Sequence, residues 1–134
     1  MKKIEHIGIA VKNLDEAEKL YAKLLGSPSY KRETVESEGV ITSFFRTGEN
    51  KIELLGSLTE NGPVAKFLEK KGEGIHHIAF DVEDIRAEMK RLHAEGFVLL
   101  NEEPKKGADN KLICFVHPKS SAGVLIELCQ EIRE

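Results

Sequence analysis

His6-Ile7-Gly8-Ile9-Ala10-Val11 returns 71 residues later as His77-Ile78-Ala79-Phe80-Asp81-Val82. Both stretches are short and rich in apolar, mostly β-branched residues, so each reads as a strand. The segments on their C-terminal sides match too. After the first strand, Asn13 has the character of an N-cap, and Asp15 and Glu16 place negative charge in the first helical turn. Ala17, Leu20, Tyr21, Leu24 and Leu25 then recur at helical spacing, and Gly26 stops the helix. After the second strand, Asp84 is the cap, Ile85, Met89 and Leu92 form an apolar stripe, and Gly96 closes the helix.

The ends of the halves correspond as well. Lys51-Ile52-Glu53-Leu54-Leu55 matches Leu125-Ile126-Glu127-Leu128-Cys129 at an offset of 74. Each half therefore reads strand, helix, then about three strands, with runs near 29–36, 39–47 and 51–55 in the first and near 97–101, 111–117 and 123–129 in the second. Thr59 to Lys71, with Pro63 near its start and Gly72 after its end, reads as a short connecting helix. A period near 70 residues is too long for a solenoid and implies a duplicated module. The expected organisation is one domain over residues 1–134: module one about 1–56, a linker helix about 57–72, module two about 73–134, with Gly72-Glu73-Gly74 at the junction.

Composition narrows the function classes. The chain has 134 residues, 40% hydrophobic and 32% charged, the balance of an ordinary globular protein. A net charge of −3 argues against nucleic acid, which needs a concentrated basic face. The N-terminal MKKIEHIGIAV lacks an apolar core and cleavage site, so no signal peptide is expected. No apolar run approaches the roughly 20 residues of a membrane span. Cys114 and Cys129 sit in apolar runs outside any Cys-x-x-Cys pair, which points to buried free thiols in a reducing cytoplasm.

The repeat aligns chemistry as well as structure. It puts His6 and His77 at the start of the halves, and Glu53 and Glu127 in their last strands. Strand side chains alternate between faces, so His76 points away from the face that carries His77. Glu127 lies among Val124, Leu125, Ile126 and Leu128, where an uncompensated carboxylate is costly. A lone strand histidine is usually a satisfied polar residue, and a lone glutamate often marks an edge. Four such residues in two symmetric pairs favour a ligand set. Two imidazoles and two carboxylates suit one divalent first-row ion (Zn²⁺, Co²⁺, Mn²⁺ or Ni²⁺), with positions left open for water or substrate. His93 reads as a solvated helix residue, and His117 as a loop residue on the substrate side.

The quoted pattern resembles the vicinal oxygen chelate superfamily over nearly the whole length. Within it, the chain looks most like the methylmalonyl-CoA epimerases. Gly74-Ile-His-His-Ile-Ala-Phe and His117-Pro-Lys-Ser-Ser-Ala-Gly-Val-Leu-Ile-Glu-Leu are the most specific pieces. The resemblance implies an α+β fold of two paired βαβββ modules forming a half-open barrel. It implies a divalent ion held by His6, Glu53, His77 and Glu127, with Glu127 also an acid/base group moving the C2 proton of a CoA thioester. A homodimer is the expected assembly. Lys66, Lys70, Lys71, Lys105, Lys106 and Lys119 are candidate contacts for CoA phosphates; Lys119, with His117, is favoured because it lies in the loop before the Glu127 strand. One departure stands out. A branch of the family has a second acid/base glutamate three residues past the glycine of a Gly-Val strand, and this chain has Thr42 there, after Gly39-Val40-Ile41. Two rivals share features: a glyoxalase I-like lyase with the same ligand types, against which the His-Pro-Lys-Ser loop argues, and a metal-free small-ligand binding or resistance module, against which the intact ligand set argues.

Overall fold

The computed structural model describes residues 1–133. Its contacts divide the chain into two compact units: residues 6–76, and the chain from His77 onward together with Met1–Glu5. The first unit runs β1 (Lys3–Ala10, entering the unit at His6), α1 (Leu14–Leu25), β2 (Lys31–Val35), β3 (Val40–Thr47), β4 (Asn50–Ser57) and α2 (Pro63–Lys71). The second runs β5 (Gly74–Asp81, entering at His77), α3 (Ile85–Ala94), β6 (Lys105–Lys106), β7 (Lys111–Val116) and β8 (Ile126–Glu131). Strand order is β2-β3-β4-β1 in one and β5-β8-β7-β6 in the other. In both, the first and last strands pair in parallel and the remaining pairs are antiparallel. The expected α+β duplication of a βαβββ module is therefore present.

Local chemistry sets the helix ends. The Asn13 side chain accepts from the Glu16 N–H at 3.0 Å, and Gly26 takes the left-handed conformation at φ 77° that ends α1. Asp84 accepts from the Ala87 N–H at 3.1 Å, while Gln130 of β8 accepts from the Ile85 N–H at 2.7 Å, tying α3 to its sheet. Each helix buries its stripe against its own sheet. Val11, Ala17, Phe45 and Leu54 form one core, with Leu14, Tyr21 and Leu25 packed on it. Val82, Ile85, Met89, Leu92, Cys114, Val116 and Leu128 form the other.

Two expectations fail. Leu20 and Leu24 do not belong to the α1 stripe; they are 62% and 70% exposed, and the buried spacing is Leu14, Ala17, Tyr21, Leu25. The run 97–101 is not a strand. Leu100 N–H donates to Phe115 O and His117 N–H to Val98 O, so the segment does run beside β7. The ladder is broken where the Asn101 side chain accepts from the Phe115 N–H at 3.1 Å, leaving a single bridge, Leu99 to Val116. The third strand of that unit comes later, at Lys105–Lys106. Gly107 succeeds it because a Cβ there would lie 2.7 Å from Ile113 Cδ1.

Candidate functional site

Each unit builds the same pair. In the first, Gly8 lies opposite Glu53 across the parallel β1·β4 ladder, and Phe44 lies opposite Glu53 on the other side. In the second, Ala79 and Phe115 flank Glu127 in the same way. A small residue and a phenylalanine thus bracket each glutamate, and the histidine stands two residues before the small one. His6 Nδ1 lies 3.1 Å from Glu53 Oε2, and His77 Nε2 lies 3.2 Å from Glu127 Oε1. All four side chains are buried.

Burying carboxylates costs free energy unless a cation or donors compensate. The separations fit a shared ion. Two cis donors, each about 2.1 Å from a first-row divalent metal, lie about 3 Å apart. Imidazole with carboxylate is a donor set for Zn²⁺, Co²⁺, Mn²⁺ or Ni²⁺. The His77 ring is held edge-on against Phe115, with centroids 6.1 Å apart and an interplanar angle of 88°. His76 lies apart from the pairs, half-buried and edge-on to Phe67 of α2 at 4.9 Å.

Around the second pair, Ala79, Ile113, Cys129 and Phe115 make a dry apolar surface. Burial pushes the Cys129 thiol well up, and the neighbouring carboxylate of Glu127 adds to the effect; burial does the same to Cys114. Both are free, inert thiols. Around the first pair, Ala10, Leu55 and Val64 pack with Phe67 and Leu68, so α2 covers one end of that sheet face.

The residues expected to touch substrate divide. His117 caps the Pro118–Ser120 turn: its Nδ1 accepts from the Lys119 N–H at 3.0 Å, which leaves Nε2 to carry a proton outward. Lys119 is exposed, as are Lys66, Lys70, Lys71, Lys105 and Lys106. His93 is exposed on α3. Thr42, in contrast, is 2% exposed on β3, opposite Leu55. The bracketing phenylalanines Phe44 and Phe115 escape a reading of the sequence; only strand register puts them beside the glutamates. No helix among the described residues is long and apolar enough to cross a membrane.

Known proteins share this arrangement of strands and residues. Residues 5–115 match the family model of the glyoxalase/bleomycin resistance protein/dioxygenase superfamily. An ethylmalonyl-CoA/methylmalonyl-CoA epimerase of Cereibacter sphaeroides is 42% identical over 96% of this chain and 97% of its own. The human mitochondrial methylmalonyl-CoA epimerase is 38% identical over 96% of this chain and 73% of its own. A Streptomyces coelicolor methylmalonyl-CoA epimerase variant, solved with 2-nitronate-propionyl-CoA, superposes with a TM-score of 0.95 at 34% identity over 99% of both chains. A probable lactoylglutathione lyase of Vibrio cholerae is more distant, 30% identical over 96% of this chain and 90% of its own.

Proposed function

Because this chain belongs to the glyoxalase/bleomycin resistance protein/dioxygenase superfamily and, within it, to the methylmalonyl-CoA epimerases, we propose that it interconverts (R)- and (S)-methylmalonyl-CoA by moving the proton at C2. The observation that carries the reading is the pair of buried His–Glu couples in matching register, with donors 3.1 and 3.2 Å apart. In this reading His6, Glu53, His77 and Glu127 together hold one divalent ion.

The C2 proton of a thioester is weakly acidic, and its removal leaves an enolate. The bound ion supplies Lewis-acid stabilisation of charge on the thioester oxygen. The chain does the rest. Glu127 takes and returns the C2 proton, since one carboxylate oxygen can remain a ligand while the other faces the substrate. Ala79, Ile113, Cys129 and Phe115 keep bulk water from that carboxylate. A malonyl-type substrate held at two oxygens presents C2 in a fixed orientation to the base. His117 Nε2 and the Lys119 ammonium reach for the CoA phosphates from the turn before β8. The reading includes a homodimer, supported by the apolar patch that Leu20 and Leu24 expose on α1, and a cytoplasmic setting, supported by two buried free thiols.

Incubation with methylmalonyl-CoA in D₂O, with the C2 proton monitored by NMR, tests the activity. Exchange accompanied by epimerisation is expected. The hemithioacetal of methylglyoxal and glutathione should turn over far more slowly; comparable or faster lyase turnover moves the chain to that chemistry.

A further inference from the structure

Inversion at carbon sets a requirement that Glu127 cannot meet alone. The proton leaves one face of the planar enolate and a proton arrives at the other, so two carriers are needed. The strands of the first unit place two carboxylates on the face that bears His6: Glu53 and Glu33. Glu53 is engaged with His6 at 3.1 Å. Glu33 stands on β2, directly opposite Thr42 of β3, and Thr42 stands opposite Leu55, two residues along β4 from Glu53.

Three observations put the Glu33 side chain on this face. Exposure alternates along β2, with Lys31, Glu33 and Val35 half-buried and Arg32 and Thr34 exposed. Lys31 Nζ lies 4.7 Å over the ring of Phe44, the residue that brackets Glu53. The same Nζ lies 3.7 Å from Glu33 Oε1. Directly opposed strand residues have Cβ atoms about 5 Å apart, and glutamate outreaches threonine by two bonds, so the carboxylate extends past the Thr42 hydroxyl. That hydroxyl is buried and is no base at neutral pH.

Resting on the epimerase reading above, we propose that Glu33 is the second proton carrier, acting at C2 across Thr42 directly or through one water. In one direction Glu127 takes the C2 proton, breaking C–H and forming O–H. The protonated Glu33 carboxyl then gives its proton to the opposite face, forming the new C–H. The two carboxyls have exchanged states, and water resets them. In the other direction the roles reverse.

Glu33→Gln tests this with each epimer supplied separately in D₂O. Glutamine keeps size and polarity at a half-buried site, so the fold is retained. Epimerisation should fall about 100-fold or more, the contribution of a positioned acid/base group. One epimer should still exchange its C2 proton at close to the wild-type rate without inverting, while the other should lose exchange. Glu36→Gln, at an exposed position in the turn after β2, should behave as wild type. Epimerisation by Glu33→Gln within roughly threefold of wild type overturns the proposal, and so does an equal loss of exchange from both epimers, which marks a binding or packing effect. A wild-type chain that epimerises nothing removes the underlying reading, an outcome visible without any variant.

Discussion

Glu53 lies between Gly8 and Phe44; Glu127 lies between Ala79 and Phe115. Moving outward from these matched centres, the modules diverge. Leu55, Thr42 and Glu33 succeed one another in the first, and the same register places hold Cys129, Ile113 and Lys105 in the second. The outermost strand has five residues in the first module and two in the second, and among the described residues only the first carries a helix such as α2 over its ligand face. The inner parallel strand pair must hold an imidazole and a carboxylate about 3 Å apart, so both copies keep it. The outer strands answer to no such demand, and there one copy presents a carboxylate where the other presents an ammonium.

The largest effect expected from breaking this symmetry is at the glutamates. Glu127→Gln should keep part of its metal and its substrate affinity while C2 exchange falls by about 10²–10⁴-fold. Glu53→Gln should be much milder, since a ligand role tolerates a carbonyl oxygen. The reverse ranking in a D₂O exchange assay would make Glu53 the proton carrier and Glu127 the bystander.

Metal content comes next. The purified chain should hold about one divalent ion per chain by elemental analysis. His6→Ala and His77→Ala should each lose it, because each histidine completes one pair; His76→Ala, stacked on Phe67, should keep it. If His76→Ala strips the ion and His77→Ala spares it, the two modules do not share a register at all.

Smaller effects distinguish the hairpins. Gly107→Ala forces the buried Ile113 side chain to move and should lower stability by about 1–3 kcal/mol in a denaturant titration. Gly39→Ala meets no neighbour within 4 Å but has φ 65°, so about 1 kcal/mol is expected from backbone strain alone. Equal costs would mean that the Lys105–Lys106 strand is not seated on β7.

The smallest effect is acid sensitivity confined to the first module. There Arg32 donates to Glu18 at 2.6 Å and to Asp15 at 2.5 Å, and Glu18 also accepts from Ser43 at 2.7 Å. The Arg32 hydrogen bonds hold both carboxyls below their ordinary values of 3.8 and 4.5. A lowered folded-state value means that the stabilisation is complete above pH 4.5 and is lost as pH falls through the depressed values. Arg32→Ala should therefore flatten the fall in melting temperature below that pH, and an unchanged slope would show that the network adds nothing to α1.

The parts of the fold visible in the sequence are those with local causes. Asn13 and Asp84 cap their helices by contacts three residues away, and the His–Glu repeat is a pattern of residue types at fixed spacing. Leu20 and Leu24 mislead because apolar character does not say which side of a helix meets the sheet. The 97–101 run misleads because a side chain, Asn101, takes the place of a backbone partner. Glu33 is invisible for another reason: its relation to Thr42 exists only once β2 and β3 are in register about the Glu36–Gly39 turn.

The second unit also borrows the first five residues of the chain. Lys2 N–H donates to Asp81 O at 2.8 Å, and Lys2 Nζ reaches Glu83, 81 residues away, at 3.1 Å. Closing so long a loop is entropically costly and raises contact order, which slows folding. On a ribosome, residues 6–76 can assemble as soon as they emerge, whereas the later module must wait for its own segment and then recapture a strip of chain made at the very start. The duplicated halves are therefore not interchangeable in time: splitting the gene between them would hand one half everything it needs and leave the other short of a strand segment.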